Sequence, residues 1–199
     1  KDPAWLERHL GALAQDDSQA LMALNTAMMM NGFVLRLAKG VTLHDPIEVV
    51  HLGGAGDGPL AYHPRNLVVL AEGSQATLIE HYTHMGEQPY YANSGTEVSL
   101  AAEAVLHHYK LQADALNAFH TSTVHAEVAA GAETAVTGAG QDDAVGGVLV
   151  DVIALEDVAQ FHHHLRVHRV ERLGAVHRDD VDLGLVDGDF ERLVGGAHR

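Results

Sequence analysis

The chain has 199 residues, no cysteine and a formal charge of −15 from 12 basic and 27 acidic side chains. That charge repels nucleic-acid backbones and anionic membrane surfaces, and the missing thiols exclude disulfides, thiolate metal sites and a cysteine nucleophile. Apolar residues make up 47%, but with five Tyr, four Phe and one Trp the interior must be filled by Ala, Val, Leu and Ile, which suits layered packing of small aliphatic side chains.

No run approaches the roughly 20 apolar residues of a membrane-spanning helix. The opening Lys1-Asp2-Pro3-Ala4-Trp5 lacks the charged-then-apolar order of a signal peptide, so a cytoplasmic location is expected. Position 1 is Lys and Arg199 falls in mid-pattern, as expected of a piece of a longer protein.

Asp16, Asp17 and Ser18 offer N-cap oxygens ahead of Leu21, Met22, Leu24 and Met28, whose three- and four-residue spacing predicts one face of a helix. Asn31-Gly32 ends it, because both residues tolerate the left-handed conformation that closes a last turn. Phe33, Leu35 and Leu37 then alternate with Val34 and Arg36 at the two-residue period of a strand. Lys39-Gly40 turns the chain and Pro46 to Leu52 resumes it. Gly53, Gly54, Gly56, Gly58 and Pro59 form a loop too flexible for either regular element.

From there a short plan recurs: a β-branched strand, a small-residue turn, a second strand. Leu67 to Leu70 leads through Ala71-Glu72-Gly73 to Ala76 to Tyr82; Val98 to Leu100 leads through Ala101-Ala102-Glu103 to Val105 to Tyr109. Val124 to Val128 leads through Ala129-Ala130-Gly131 to Thr134 to Val136. Corresponding turns fall 28 to 30 residues apart, and His81-Tyr82 and His108-Tyr109 fall 27 apart. A steady period in this range is a repeat signature. No intervening stretch has a clean helical period, so βαβ crossovers are absent, and each strand pair is too small to bury its apolar face alone. Stacked coils of a parallel β-helix satisfy both conditions; an antiparallel sandwich is the competing all-β reading.

The residues also carry a resemblance. His63-Pro64-Arg65-Asn66-Leu67-Val68-Val69-Leu70, continuing to Ala76-Thr77-Leu78-Ile79-Glu80-His81-Tyr82, resembles the core segment of the SufB/SufD family. The run Asn93, Thr96-Glu97-Val98, Leu106, His108-Tyr109-Lys110-Leu111-Gln112 and Ala118-Phe119-His120 is similar to the SufD segment that follows. Ala23 to Ala27, Gly40-Val41 and Pro46-Ile47 resemble the approach to that core, so the resemblance covers about residues 9–130. It implies an all-β fold, a right-handed parallel β-helix (SufBD core) with a short N-terminal helix. It further implies a non-enzymatic scaffold subunit that acts with a SufB-like paralogue and a SufC-like ABC-type ATPase in iron–sulfur cluster assembly. The cluster would then belong to the complex, and no cofactor is expected on this chain. The family's ligand and cluster-assembly segments have no counterpart here, so no catalytic or metal residue is carried over. A polysaccharide-acting β-helix enzyme is the alternative on the same architecture.

The expected organisation is a helical lead-in over 1–32, a β-helix core over 33–140 and a tail over 141–199. In the tail the resemblance stops near Gly131 and the composition changes: no Lys or Arg occurs from Leu111 through Leu165, then six Arg fall between Arg166 and Arg199. Two readings of the tail are open. One is divergent last coils, with Val148 to Phe161 forming another; the other is a segment read in a shifted frame.

Several constellations invite chemistry. His162-His163-His164 with His168 would place imidazoles four apart on a helix, but no HExxH pattern accompanies them, and solvated histidines are expected. His81-Tyr82 and His108-Tyr109 are expected to stack as a structural ladder. His63-Pro64-Arg65 reads as a rigid corner, with Arg65 bonding a loop carbonyl or a carboxylate such as Glu80. The run Gly53 to Gly58 lacks the Gly-Lys-Ser/Thr ending of a phosphate cradle and reads as a loop between coils. Asp142-Asp143 and Asp179-Asp180 are adjacent pairs whose side chains would diverge on a strand, so solvated charge is expected. The coil edge near Val124 to Val136 is expected to lie against the SufB-like partner.

Overall fold

The computed structural model describes residues 3–14, 20–54, 57–140, 145–154 and 165–170, with side chains through Gly138. The chain passes back and forth between two sheets. The first runs β1 (Val34–Leu37), β4 (Arg65–Leu70), β6 (Tyr90–Leu100), β8 (Phe119–Val128) and β10 (Val145–Ala154), with β3 (Leu60–Tyr62) beside the start of β6. The second runs β2 (Ile47–Gly53), β5 (Gln75–His84), β7 (Val105–Gln112), β9 (Glu133–Gly140) and β11 (Leu165–Val170). Every pairing among these strands is parallel, which makes the fold a parallel β-helix and rules out the antiparallel sandwich. Two short helices, α1 (Pro3–His9) and α2 (Ala20–Met28), precede the coils. No helix among the described residues is long and apolar enough to cross a membrane.

The turn period read from the sequence is the coil register. Leu70 pairs with Leu100, thirty residues on, and Leu100 with Val128, twenty-eight on. One corner repeats with the same conformation in four coils. Gly40, Gly73, Glu103 and Gly131 all take a positive φ, at 71, 66, 57 and 68°. The N–H of Gly40 donates to the Glu72 carbonyl, that of Gly73 to Ala102, and that of Glu103 to Ala130. Glu103 is the non-glycine residue in this column, and a side chain in the left-handed region costs about 1–2 kcal/mol. Glu103→Gly is therefore expected to raise stability by about 0.5–1 kcal/mol after the glycine's own entropic cost. Thermal and urea unfolding check this; an unchanged or lowered midpoint would show that the corner is not strained.

Within the coils the core divides by chemistry. Nearest the repeated corner, Leu70, Leu100 and Val128 pack with Val68, Val98, Leu78 and Leu106 in one aliphatic cluster. Further along the same strands the buried positions turn polar: Asn66, Thr96, Ser94 and Ser122 from the first sheet, Glu80, His108 and Lys110 from the second. Alternation of burial along β5, with Ala76, Leu78, Glu80 and Tyr82 buried, shows that these polar groups hold interior positions and are not a solvated face.

Two expectations are corrected. The predicted face of α2 is buried only at Met22: Met22 and Asn25 face the coils, while Leu21, Leu24 and Met28 stay exposed, because α2 seats on a sheet face whose partners are largely polar. The edge at Val124 to Val136 is already paired within the chain, since β10 lies along β8 and β11 along β9. A partner cannot add a strand there.

Candidate functional site

Glu80 on β5 is the centre of the polar half of the interior and is fully buried. The ammonium of Lys110 donates to its Oε2 at 2.9 Å, His108 Nε2 to Oε1 at 2.7 Å, Thr96 Oγ1 to Oε1 at 3.2 Å and Asn66 Nδ2 to Oε2 at 3.3 Å. The Tyr82 hydroxyl also donates to it, and His51 Nε2 lies 3.7 Å from Oε2. These donors come from four strands, β4, β5, β6 and β7, and His51 approaches from β2 without a hydrogen bond. The pairing Glu80↔Lys110 between β5 and β7 brings the two charges together.

Burial alone would raise the Glu80 carboxyl, but the Lys110 ammonium and the His108 hydrogen bond outweigh it and hold the carboxyl well below the ordinary range. Burial lowers His108 below its ordinary value, so the neutral ring donates through Nε2. Burial likewise pushes His51 down to about 4 against the pull of Glu80, and raises the Tyr82 phenol, with Glu80 reinforcing the shift. A carboxylate with one countercharge and four neutral donors is a satisfied ion pair; its lone pairs are occupied.

A second cluster adjoins the first. His51 stacks on the Tyr82 ring with centroids 4.5 Å apart, and His120 meets the same ring edge-on at 4.4 Å. His120 Nδ1 bonds Asp114 Oδ2 at 2.8 Å, and the Tyr90 hydroxyl donates to Asp114 Oδ1 at 2.6 Å. Burial would raise Asp114, and the hydrogen bonds from His120 and Tyr90 lower it. Among the described residues, no group of three or more His, Asp or Glu side chains is arranged to hold a metal ion.

On the outer face of the first sheet a third charged group is buried. Arg65 lies against Glu97, Nε at 3.0 Å and Nη2 at 2.9 Å from Oε1. Glu97 also accepts the backbone N–H of Gly11 at 2.7 Å and of Leu13 at 2.9 Å. Among the described residues, Glu80–Lys110 is thus a buried ion pair inside the coils and Arg65–Glu97 one between the coils and the N-terminal segment.

Comparison with known families covers most of this frame. Residues 1–49 match the SufBD protein N-terminal region, and residues 51–164 match the SufBD core domain of SUF system FeS cluster assembly. The chain belongs to the SufBD family. An iron–sulfur cluster assembly SufBD family protein of Synechocystis is 29% identical over 116 residues, 54% of this chain and 26% of that relative. The iron–sulfur cluster assembly protein SufD of Escherichia coli is 26% identical over 96 residues, 47% of this chain and 23% of that relative. The matched stretch thus spans about a quarter of either relative's length. No solved structure gives a significant match. The SufBD core match runs to residue 164, past Gly131 where the resemblance in the sequence stops.

The residues singled out in the sequence fall differently within this SufBD fold. Arg65 does pair with a carboxylate, but with Glu97 and not Glu80, because Arg65 points out of the coil and Glu80 into it. The His-Tyr ladder is not formed. Tyr82 pairs with Gln112 and Leu78 with His108, so an offset of 27 against a register of thirty inverts the faces. Tyr82 and His108 turn inward, while His81 bonds Glu48 at 3.0 Å and Tyr109 is exposed. Gly53 closes β2 and Gly54 takes a positive φ in a loop leading to β3, as expected of a connection between coils.

His168 lies on strand β11 and not on a helix. His162 to His164, both Asp pairs, residues 155–161 of the proposed extra coil and the capping residues Asp16 to Ser18 lie outside the described residues. Glu80 and Lys110 were the residues most open to discovery: an acid and a base thirty apart, both on the buried parity of their strands.

Proposed function

We propose that the protein is a scaffold subunit of the SUF iron–sulfur cluster assembly complex, acting in the cytoplasm with a SufB-like paralogue and a SufC-like ATPase and performing no catalytic step itself. Membership of the SufBD family carries this reading: both the N-terminal region and the core domain are matched on a parallel β-helix. The interior chemistry supports it, because Glu80, Lys110 and His108 are occupied with one another in a fully buried position where a substrate does not reach.

The test is co-expression of the full-length protein with the SufB-like paralogue and ATPase of the same genome, followed by purification through a tag on this protein. Both subunits are expected to co-elute, and the complex to accumulate iron and sulfide. Elution without either subunit would overturn the proposal, as would turnover of an acidic polysaccharide by the isolated protein.

A further inference from the structure

With no cysteine in the chain, the side chains most open to two-electron oxidation are its five methionines, Met22, Met28, Met29, Met30 and Met85. A thioether reacts through a sulfur lone pair, so access to the sulfur sorts them. Met22 is 2% exposed, and Arg65 Nη1 donates to its Sδ at 2.8 Å, which takes up one lone pair. The same sulfur lies so close to the first sheet that a Cβ built on Gly95 would fall 2.8 Å from it. An added oxygen has no room on that side.

Met28, Met29 and Met30 stand in the opposite situation. They follow one another where α2 ends, at 54, 39 and 94% exposure, and none of them belongs to the aliphatic cluster of the coils. The backbone on either side is held by other groups. Before them Asn25 Nδ2 donates to the Pro64 and Asn93 carbonyls, and after them the Asn31 carbonyl accepts the Arg65 N–H. A sulfoxide is polar and disrupts a core, but at these positions it meets water. Met85, 52% exposed between β5 and β6, offers one such sulfur, whereas residues 28–30 offer three in succession.

We propose that Met28-Met29-Met30 is a reversible oxidation site, at which hydrogen peroxide converts thioethers to sulfoxides while the coils stay folded and Met22 is spared. In each step a sulfur lone pair attacks one peroxide oxygen, and the S–O bond forms as the O–O bond breaks. The leaving hydroxide takes the proton of the transferred oxygen and departs as water. The sulfur loses two electrons and the peroxide gains them. Met28 ends the exposed apolar stripe that begins with Leu21 and Leu24, so its oxidation turns that end of the helix surface from apolar to polar.

The test treats the full chain with dilute hydrogen peroxide and follows each methionine by peptide mass mapping. The expected order of rates is that of exposure: Met30 first, Met28 and Met85 next, Met29 after them, and Met22 at least about tenfold behind Met30. Once residues 28–30 carry sulfoxide, the urea midpoint is expected to be unchanged. Sulfoxide reductases of both stereospecificities, supplied with a dithiol, are expected to restore all three thioethers. The triple variant Met28→Leu, Met29→Leu, Met30→Leu is expected to keep the wild-type midpoint and to take up oxygen rapidly at Met85 alone. Oxidation of Met22 at the rate of Met30, unfolding of the coils as residues 28–30 oxidise, or sulfoxides that the reductases leave in place would each overturn the proposal. So would failure of the triple variant to fold, because the fold would then depend on these side chains.

Discussion

Lys110→Met is expected to destabilise the protein by about 3–5 kcal/mol, the usual cost of leaving one member of a buried ion pair without its partner. Methionine matches the length of the lysine stem, so the loss comes from charge and not from a cavity. Glu80 would keep its bonds from His108, Tyr82, Asn66 and Thr96 but no countercharge, in a site with no exposure to solvent. The double variant Glu80→Gln with Lys110→Met should regain most of that loss, because the amide oxygen still accepts from His108 and Thr96, the Tyr82 hydroxyl can turn to accept from the amide N–H, and replacement of a whole buried pair is often near neutral. Urea unfolding of the four proteins, treated as a double-mutant cycle, measures the coupling. A double variant as unstable as the sum of its singles would mean that the two charges do not act on each other.

Acidification is the second large effect, and its sign follows from four groups. His51 has a folded value of about 4 against an ordinary 6.5, so in the window between them the unfolded chain binds a proton that the folded chain refuses. Stability therefore falls as pH falls through that window, by about 3 kcal/mol for the full depression. His108 is lowered by burial and acts in the same direction. Glu80 and Asp114 are depressed carboxyls; their contribution is present above the ordinary carboxyl range and is lost as pH drops below it. The stability profile should be flat between about pH 7 and 9, slope downward below about 6.5 and steepen below about 4.5, and it should fall again above about 10, where the unfolded chain loses the phenol proton that buried Tyr82 keeps. His51→Phe keeps the ring stacked on Tyr82 and should flatten the slope between about pH 6.5 and 4.5. Urea midpoints across that range decide; an unchanged slope in the variant would remove His51 as its source.

The parallel β-helix was legible in the sequence because its corners are made of small residues at a steady interval, and that interval became the pairing of Leu70 with Leu100 and of Leu100 with Val128. That a helix stands at α2 could be read from its periodicity, but it ends at Met28, ahead of Asn31-Gly32, where the chain is already tied to β4. Which side of it faces inward could not be, since periodicity marks an apolar stripe without saying what lies opposite. The pairing of Arg65 with Glu97 was missed for a related reason. Strand parity places Arg65 outward and Asn66 inward, and the outer face became a partner only because the N-terminal segment covers it. For the histidines, three residues separate the His-Tyr spacing from the true register, and an odd difference exchanges inside for outside.

The division of the interior into an aliphatic and a polar half bears on how the chain finds its threading. Sliding one coil along the next by two positions preserves which side chains point in, so a uniformly greasy stack would tolerate the mistake. Here the same slide would set Lys110 beside Leu78 or Tyr82 and Glu80 beside His108 or Gln112, stranding a cation in the dry interior. The misthreaded form would be too unstable to persist, and a growing chain would be returned to the open state to try again.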